Sequence, residues 1–387
     1  MIFYLRVRNV SCKTISQAVW EGAEKENDEC YGSVLISSYY RSSRTSAHSL
    51  TRGIISMKRI EWIEEMRERV LSGIMGLAVA DALGVPVEFM DRETLVREPV
   101  VGMRSYGTYN KAAGTWSDDT SMTLCLMSSL AKGLSYDEIM RNFLKWYRTG
   151  EYTADGDTFD VGITTREALE RFERGIPALE CGGYGEYDNG NGSLMRVLPL
   201  VFYLGITYGA DFQDNDEAMA IIHSVSALTH AHRRSQIACG IYLSIASMIL
   251  DGAGLERAVQ LGIRKAAEYY EGQPDFADEL GHFSRLKGEE FKKTPRTEIN
   301  SSGYVVSSLE AAIWCLLNTH DYAGCVLKAV NLGDDTDTVA AIAGGLAGLA
   351  YGYGAIPQGW LDVLRRREYL ESACYEFSLA LTLRCRL

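Results

Sequence analysis

Apolar side chains recur at helical spacing through most of this chain, beginning at Met57. The first such stretch places Ile60, Ile63 and Met66 on one face of a helix. Further stretches with the same spacing cover residues 120–134, 136–147, 164–174, 216–228, 233–250, 255–270, 305–317, 322–330 and 338–351. Few runs alternate strictly enough to be strands, and polar or glycine-rich joints separate the helical stretches. The pattern therefore predicts one all-α domain over residues 57–387, folded as a compact multi-helix bundle.

The first 56 residues lack this spacing and mix serine-rich runs with an acidic patch at residues 24–29. We predict that residues 1–56 are a poorly packed N-terminal extension and that Met57 is the natural start of the protein. The apolar run at residues 2–5 is shorter than the roughly 7 residues that a signal peptide needs, so no signal peptide is expected.

Residues 340–357 are uncharged and carry a glycine at positions 344 and 348, a spacing known from membrane helices. They follow an acidic segment directly and consist mostly of Ala and Gly. This composition favours a tightly packed core helix, and no membrane association is expected.

Charge and cysteine content exclude some classes of partner. The net charge of -12 would repel a nucleic-acid backbone, and basic residues form no cluster, so we expect no nucleic-acid polymer as partner. The nine cysteines are scattered and include no Cys-x-x-Cys pair. This usage is typical of reduced cysteines, and the expected location is the cytoplasm.

Two short acidic segments each precede a helix rich in small apolar residues. Residues 114–120 read Gly-Thr-Trp-Ser-Asp-Asp-Thr, and residues 333–338 read Gly-Asp-Asp-Thr-Asp-Thr. Either segment alone is explained by helix capping, because Ser, Thr and Asp are preferred caps and acids suit the first turn. Together they supply more carboxylates than capping needs, and their repulsion favours a bound cation. Oxygen ligands without His or Cys indicate Mg²⁺ or Mn²⁺ rather than Zn²⁺, with two ions as the expected number.

Two other acids allow alternative interpretations. Glu88 follows Pro86 just after the helical stretch 72–83, and a carboxylate there is ordinarily a solvated loop acid. Asp81 lies within that otherwise apolar stretch and either contributes to a site or accepts hydrogen bonds from a neighbouring helix terminus in the core.

Six short motifs in this chain resemble, in the same order, those of the ADP-ribosylglycohydrolase family. They are residues 73–84 with Glu88 and Phe89, 116–122, 160–162, 189–196, 228–230 and 333–338. Each is weak evidence alone, but their common order from Met57 to the C-terminus is strong evidence. The resemblance implies an all-α bundle that binds two Mg²⁺ ions through Ser117, Asp118, Asp119, Asp335, Asp337 and Thr338.

The resemblance also implies roles in catalysis and in substrate binding. It gives Glu88 a catalytic role, with either Glu88 or Asp119 taking a proton from the attacking water. The glycine-rich stretch before Met195 resembles an ADP-ribose-binding loop, and glycine allows backbone N–H groups to approach a pyrophosphate. The residues expected to contact substrate are Gly190, Asn191, Gly192 and His230.

Two nearby residues keep two interpretations each at this point. Arg196 either contacts the ligand or anchors the loop to the core. Asp160 either supports the site from behind or caps the helix that starts near Thr164.

The expected function is a magnesium-dependent hydrolase that releases ADP-ribose from a modified protein side chain or from a small molecule. Two other functions stay open: a binding or structural protein on the same fold without catalysis, and a binuclear phosphohydrolase that cleaves the pyrophosphate. The sequence determines neither the acceptor, whether arginine, serine, a DNA base or O-acetyl-ADP-ribose, nor the oligomeric state.

Overall fold

The computed structural model describes residues 47–288 and 290–384. This part of the chain contains 15 α-helices, short 3-10 turns, three isolated β-bridges and no strand. The helices are α1 (Ala47–Gly84), α2 (Arg92–Arg97), α3 (Asp118–Lys132), α4 (Tyr136–Thr149), α5 (Ile163–Glu173), α6 (Pro199–Tyr208), α7 (Asp216–Ala227), α8 (Arg233–Leu250), α9 (Leu255–Glu271), α10 (Pro274–Leu280), α11 (Val305–Leu317), α12 (Tyr322–Val330), α13 (Thr336–Tyr351), α14 (Gln358–Val363) and α15 (Arg367–Arg384). The all-α prediction is confirmed.

Nearly every side chain of helix α8 from Arg234 to Ile249 is buried, which places this helix at the centre of the bundle. It packs against α7, α9, α11 and α13. Helices that are apolar on all sides belong in such a core.

Helices α1 and α13 cross at very short range through glycine. A methyl group added at Gly76 would lie 2.5 Å from the Gly344 carbonyl oxygen and 2.9 Å from the Gly348 Cα. At the end of α1, a Cβ on Gly84 would lie 2.3 Å from the Cα of Asp337. The prediction of a core helix at residues 340–357 is confirmed for α13. This crossing also brings the end of α1 against the second acidic segment.

One stretch in the described residues, Glu61–Val87, is long and apolar enough to cross a membrane by length and composition. Its most apolar window is 94% buried inside the protein. Such burial is the usual condition of a core helix in a globular protein.

The helical spacing missed five helices and placed the start of α1 too late; the missed helices are α2, α6, α10, α14 and α15. Helix α6 is apolar on every side and therefore shows no periodicity. Helix α1 begins at Ala47, ten residues before the predicted start at Met57. Residues 1–46 of the predicted extension lie outside the described residues, so its poor packing stays a prediction.

Candidate active site

The two acidic segments, far apart in the chain, meet in the structure at the N-termini of α3 and α13. The Thr338 hydroxyl donates a hydrogen bond to Asp119 Oδ1 over 3.3 Å. Asp119 and Asp337 are fully buried, and Asp118 and Thr338 are each only 5% exposed. The helix dipoles of α3 and α13 favour negative charge at their N-termini, which lowers the electrostatic free-energy cost of placing these carboxylates close together.

Asp81 holds the N-terminus of α3 in position. Its carboxylate accepts hydrogen bonds from the Ser117 amide at 2.9 and 3.1 Å and from the Thr120 amide and hydroxyl at 3.1 and 2.6 Å. Burial raises the pKa of Asp81 to about 6, while these hydrogen bonds oppose the shift. The interpretation of Asp81 as an acceptor for a helix terminus is confirmed. Ser117 itself caps α3 by accepting the Asp119 amide at 3.3 Å.

The segment that carries Glu88 is tied to the second acidic segment by backbone hydrogen bonds. The Phe89 amide donates to the Asp334 carbonyl at 2.7 Å, and the Asp334 amide donates to the Met90 carbonyl at 2.9 Å. Phe89 and Asp334 both adopt left-handed backbone angles, with φ of 63° and 61°. With the backbone held in this way, Glu88 is withdrawn from solvent and is only 4% exposed. Glu88 is therefore not a solvated loop acid.

Glu88, Asp160 and Asp337 form a close carboxylate cluster, with one oxygen of each within 4.8 Å of the others. Asp160 has a left-handed backbone, with φ of 57°, and accepts a hydrogen bond from the Tyr109 hydroxyl at 2.6 Å. Helix α5 begins at Ile163 after Gly162, so Asp160 does not cap it. Sequence reasoning missed Tyr109, because no local motif marks a tyrosine as a partner for a distant acid.

The site carries more buried negative charge than the protein around it neutralises. The pKa of Glu88 is raised to about 9, first by burial and then by the charges of Asp160 and Asp335. The pKa values of Asp118, Asp119 and Asp337 also lie well above the usual range, first because of burial and then because of neighbouring carboxylates. Such a cluster is costly unless a positive group or protons neutralise it.

Four carboxylate oxygens at the site are buried without a hydrogen-bond partner among the described residues: Glu88 Oε2, Asp119 Oδ2, Asp335 Oδ1 and Asp337 Oδ2. Buried polar atoms normally find partners, so these four require another explanation. A ligand set made of anionic oxygens, with no His or Cys among them, suits a hard divalent cation. The residues present therefore fit a metal site.

A cavity of about 210 Å³ lies beside the cluster. Its lining includes the acids Glu88, Asp118, Asp160 and Asp335 together with Thr338. The same lining includes the predicted substrate residues Gly190, Asn191, Gly192 and His230. The predicted substrate loop therefore shares one cavity with three of the six predicted metal ligands, Asp118, Asp335 and Thr338. Ser117, Asp119 and Asp337 do not line this cavity.

Two residues of the loop region are held by the protein. The Asn191 amide donates to Asp335 Oδ2 and to the Ser308 hydroxyl, both at 2.8 Å, and so ties the loop to the second acidic segment. The fully buried Arg196 donates to the Gly192 carbonyl and, at 2.8 Å, to the Thr229 hydroxyl. Its guanidinium carbon lies 4.8 Å from the centre of the Phe143 ring. Of the two interpretations of Arg196, the structure supports the anchor.

Comparison with known families agrees with this architecture. Residues 63–386 match the family described as ADP-ribosylglycohydrolase. The chain belongs to the ADP-ribosylglycohydrolase family. The resemblance seen in the six motifs is confirmed.

Several characterised or solved ADP-ribosylglycohydrolases resemble the chain over most of its length. It is 33% identical to ADP-ribosylarginine hydrolase Tri1 of Serratia proteamaculans over 80% of this chain and 78% of the relative. It is 31% identical to ADP-ribosyl-[dinitrogen reductase] glycohydrolase of Rhodospirillum rubrum, over 77% and 91% of the two chains. A solved structure described as an ADP-ribosylglycohydrolase-related protein complex has a TM-score of 0.66 and 31% identity, covering 82% of this chain and 99% of that one.

Proposed function

We propose that this protein hydrolyses the bond between the distal ribose of ADP-ribose and an acceptor, with ADP-ribosylarginine as the first substrate to test. Two observations carry the proposal: Glu88, Asp118, Asp160 and Asp335 line one cavity with the loop Gly190–Gly192; and four buried carboxylate oxygens at the site have no hydrogen-bond partner among the described residues. The choice of arginine rests on two relatives of 33% and 32% identity that are named ADP-ribosylarginine hydrolases.

We propose that Mg²⁺, or Mn²⁺ in its place, binds at this cluster as two ions. The residues that would hold the metal are Ser117, Asp118, Asp119, Asp335, Asp337 and Thr338. When bound, such ions lower the pKa of water and stabilise negative charge on oxygen. The oxygens of Asp119, Asp335 and Asp337 that lack a partner among the described residues support this assignment. The bound cations would neutralise the carboxylates, which could then stay ionised.

Glu88 is the better supported of the two candidate bases. Glu88 lines the cavity, whereas Asp119 does not, and one Asp119 oxygen accepts a hydrogen bond from the Thr338 hydroxyl. In the proposed reaction the water oxygen bonds to the anomeric carbon and its proton passes to Glu88. The bond from that carbon to the acceptor breaks through an oxocarbenium-like transition state, and the acceptor leaves with the bonding electron pair and takes up a proton.

The loop Gly190–Gly192 and His230 would hold the ADP-ribose moiety. Gly190 and Gly192 both line the cavity, and a Cβ added to them would lie 3.3 and 2.8 Å from the His230 ring. Backbone N–H groups supply local positive potential, which lets a protein of net charge -12 bind an anionic substrate.

A panel of defined substrates tests this proposal directly. ADP-ribosylarginine, ADP-ribosylserine and O-acetyl-ADP-ribose would each be incubated with Mg²⁺, Mn²⁺ or chelator, and products separated by chromatography. We expect metal-dependent release of intact ADP-ribose, fastest from arginine. AMP as product would indicate a phosphohydrolase, and tight ADP-ribose binding without release from any substrate would indicate a binding protein.

Replacing Gly192 by Ala should weaken ADP-ribose binding, because the added Cβ would lie 2.8 Å from His230 Cε1 and 3.2 Å from the Thr165 hydroxyl. The ring or the loop must then shift, and we expect a loss of affinity of about tenfold or more in calorimetry. Gly205→Ala is the matched control, since nothing lies within 4 Å of its added methyl group in α6. Unchanged affinity in Gly192→Ala would count against the loop as the binding element.

A further inference from the structure

A buried chain of hydrogen bonds runs behind the cavity wall from Arg196 through Thr229 to His230. The Arg196 guanidinium donates to Thr229 Oγ1 at 2.8 Å, and the same oxygen lies 2.8 Å from His230 Nδ1. Arg196 and Thr229 are fully buried, and His230 is 3% exposed. Because solvent is excluded, each of these polar groups depends on the protein for its partners.

The hydrogen bonds available to Thr229 determine which nitrogen of His230 carries the proton. An arginine N–H can only donate, so Thr229 Oγ1 must accept from Arg196. Among the described residues, the Thr229 side chain has one other hydrogen-bond partner, His230 Nδ1. If Nδ1 carried a proton, it would also donate to Thr229, and the buried hydroxyl proton would have no acceptor. The hydroxyl therefore donates to a bare Nδ1, and a neutral ring then carries its proton on Nε2.

The imidazole stays neutral in this position. Burial, together with the nearby charge of Arg196, lowers the pKa of His230 to about 3. The backbone around the ring is also fixed, since the His230 carbonyl accepts the Ser226 hydroxyl at 2.9 Å and the Gly183 amide donates to the Thr229 carbonyl at 2.9 Å.

The other side of the ring faces the loop that lines the cavity. A Cβ added at Gly190 would lie 3.3 Å from His230 Nε2. Arg196 donates to the carbonyl of Gly192 as well, so one guanidinium holds both the loop and, through Thr229, the ring that faces it.

We infer that Thr229, held by Arg196, is a positioning residue that fixes His230 in the tautomer with its proton on Nε2, so that the ring presents one N–H donor to the cavity. The ligand role of this donor rests on the proposed function. The Nε2–H group would donate a hydrogen bond to an acceptor oxygen of the substrate, either on the pyrophosphate or on a ribose. With no free lone pair on the cavity side, His230 does not act as the base, which leaves that task to a carboxylate.

Nitrogen NMR of the ligand-free protein labelled with [15N]histidine reads the tautomer directly. His230→Gln identifies the signal of His230 by its disappearance. We expect the Nε2–H tautomer in the wild-type protein and in Thr229→Ser, which keeps the hydroxyl. Thr229→Val should lose the preference for this tautomer and bind ADP-ribose about tenfold more weakly, consistent with the loss of one oriented hydrogen bond.

Thr382→Val is the matched control, because Thr382 is also buried but lies in α15 and donates to the Leu379 carbonyl. It should keep both the tautomer and the affinity. A purely structural Thr229 would lower the melting temperature of the Val variant without changing the tautomer, and that result overturns the inference. A wild-type ring with its proton on Nδ1 overturns it as well, even if Thr229→Val does not fold. Failure of the proposed function would give a different result. The tautomer would be as expected, but the wild-type protein would neither bind nor release ADP-ribose.

Discussion

Asp337→Asn should abolish metal-dependent release of ADP-ribose, by about a thousandfold or more, while making the metal-free protein more resistant to heat. The first effect follows because the substitution removes an anionic oxygen that has no hydrogen-bond partner and is proposed to hold the metal. The second follows because Asp337 is fully buried among carboxylates that raise its pKa well above the usual range. A neutral amide of the same shape relieves that repulsion.

The measurement is a melting curve of each protein in chelator and in Mg²⁺, together with the rate of ADP-ribose release. Wild-type protein should melt at a higher temperature with Mg²⁺, since a ligand that binds only the folded state stabilises it. Asp337→Asn should lose most of this increase. Asp321→Asn is the control, because Asp321 is an exposed cap of α12 and Asn caps equally well. A variant that keeps both turnover and the response to Mg²⁺ would show that the metal assignment is wrong.

Glu88→Gln should reduce kcat by about 10²–10⁴-fold, the usual contribution of a general base, and leave the affinity for ADP-ribose within a few-fold of wild type. The amide keeps the shape of the side chain but cannot accept the proton of the attacking water. Glu310→Gln is the matched control, since Glu310 is another buried glutamate and pairs with Arg285 at 2.8 Å, away from the cavity. Equal loss of kcat in both variants would mean that buried charge, not proton transfer, explains the effect.

Glu88→Gln should also change how the free energy of unfolding depends on pH in the absence of metal. The pKa of Glu88 rises from 4.5 to about 9 on folding, so between these values the folded protein holds a proton that the unfolded chain has released. The free energy of unfolding in chelator should therefore fall as pH increases through this window. Glu88→Gln removes this contribution, and its stability should depend less on pH. A wild-type stability that rises with pH across the window, in chelator, would contradict the assigned direction.

Sequence reasoning found the parts of the site that repeat a local pattern. The Asp-Asp-Thr segments lie at helix starts, where helix capping and metal ligation both require Ser, Thr and Asp at neighbouring positions. Asp160 and Tyr109 left no such trace, because their contact joins residues 51 positions apart and depends on a left-handed backbone at Asp160. Helix α6 was missed for a related reason, since a helix with apolar residues on every side has no polar face to give a period.

The role of Asn191 also depended on contacts that the sequence does not show. Its motif pointed to the substrate, yet its amide is bonded to Asp335 and Ser308, 144 and 117 positions away. Only the folded chain reveals that this side chain joins the loop to the acidic segment.

The dispersed origin of the carboxylates has a consequence for how the protein acquires activity. The hydrogen bond from Thr338 to Asp119 spans 219 positions, and the one from the Thr336 hydroxyl to the Gly84 carbonyl spans 252. Contacts of such high sequence separation form late, because the entropy of closing long loops must be overcome first. We therefore expect the proposed cation site to be absent from a nascent or partly folded chain. Uptake of the proposed ion should coincide with completion of the native topology, and its loss should accompany global rather than local opening of the bundle.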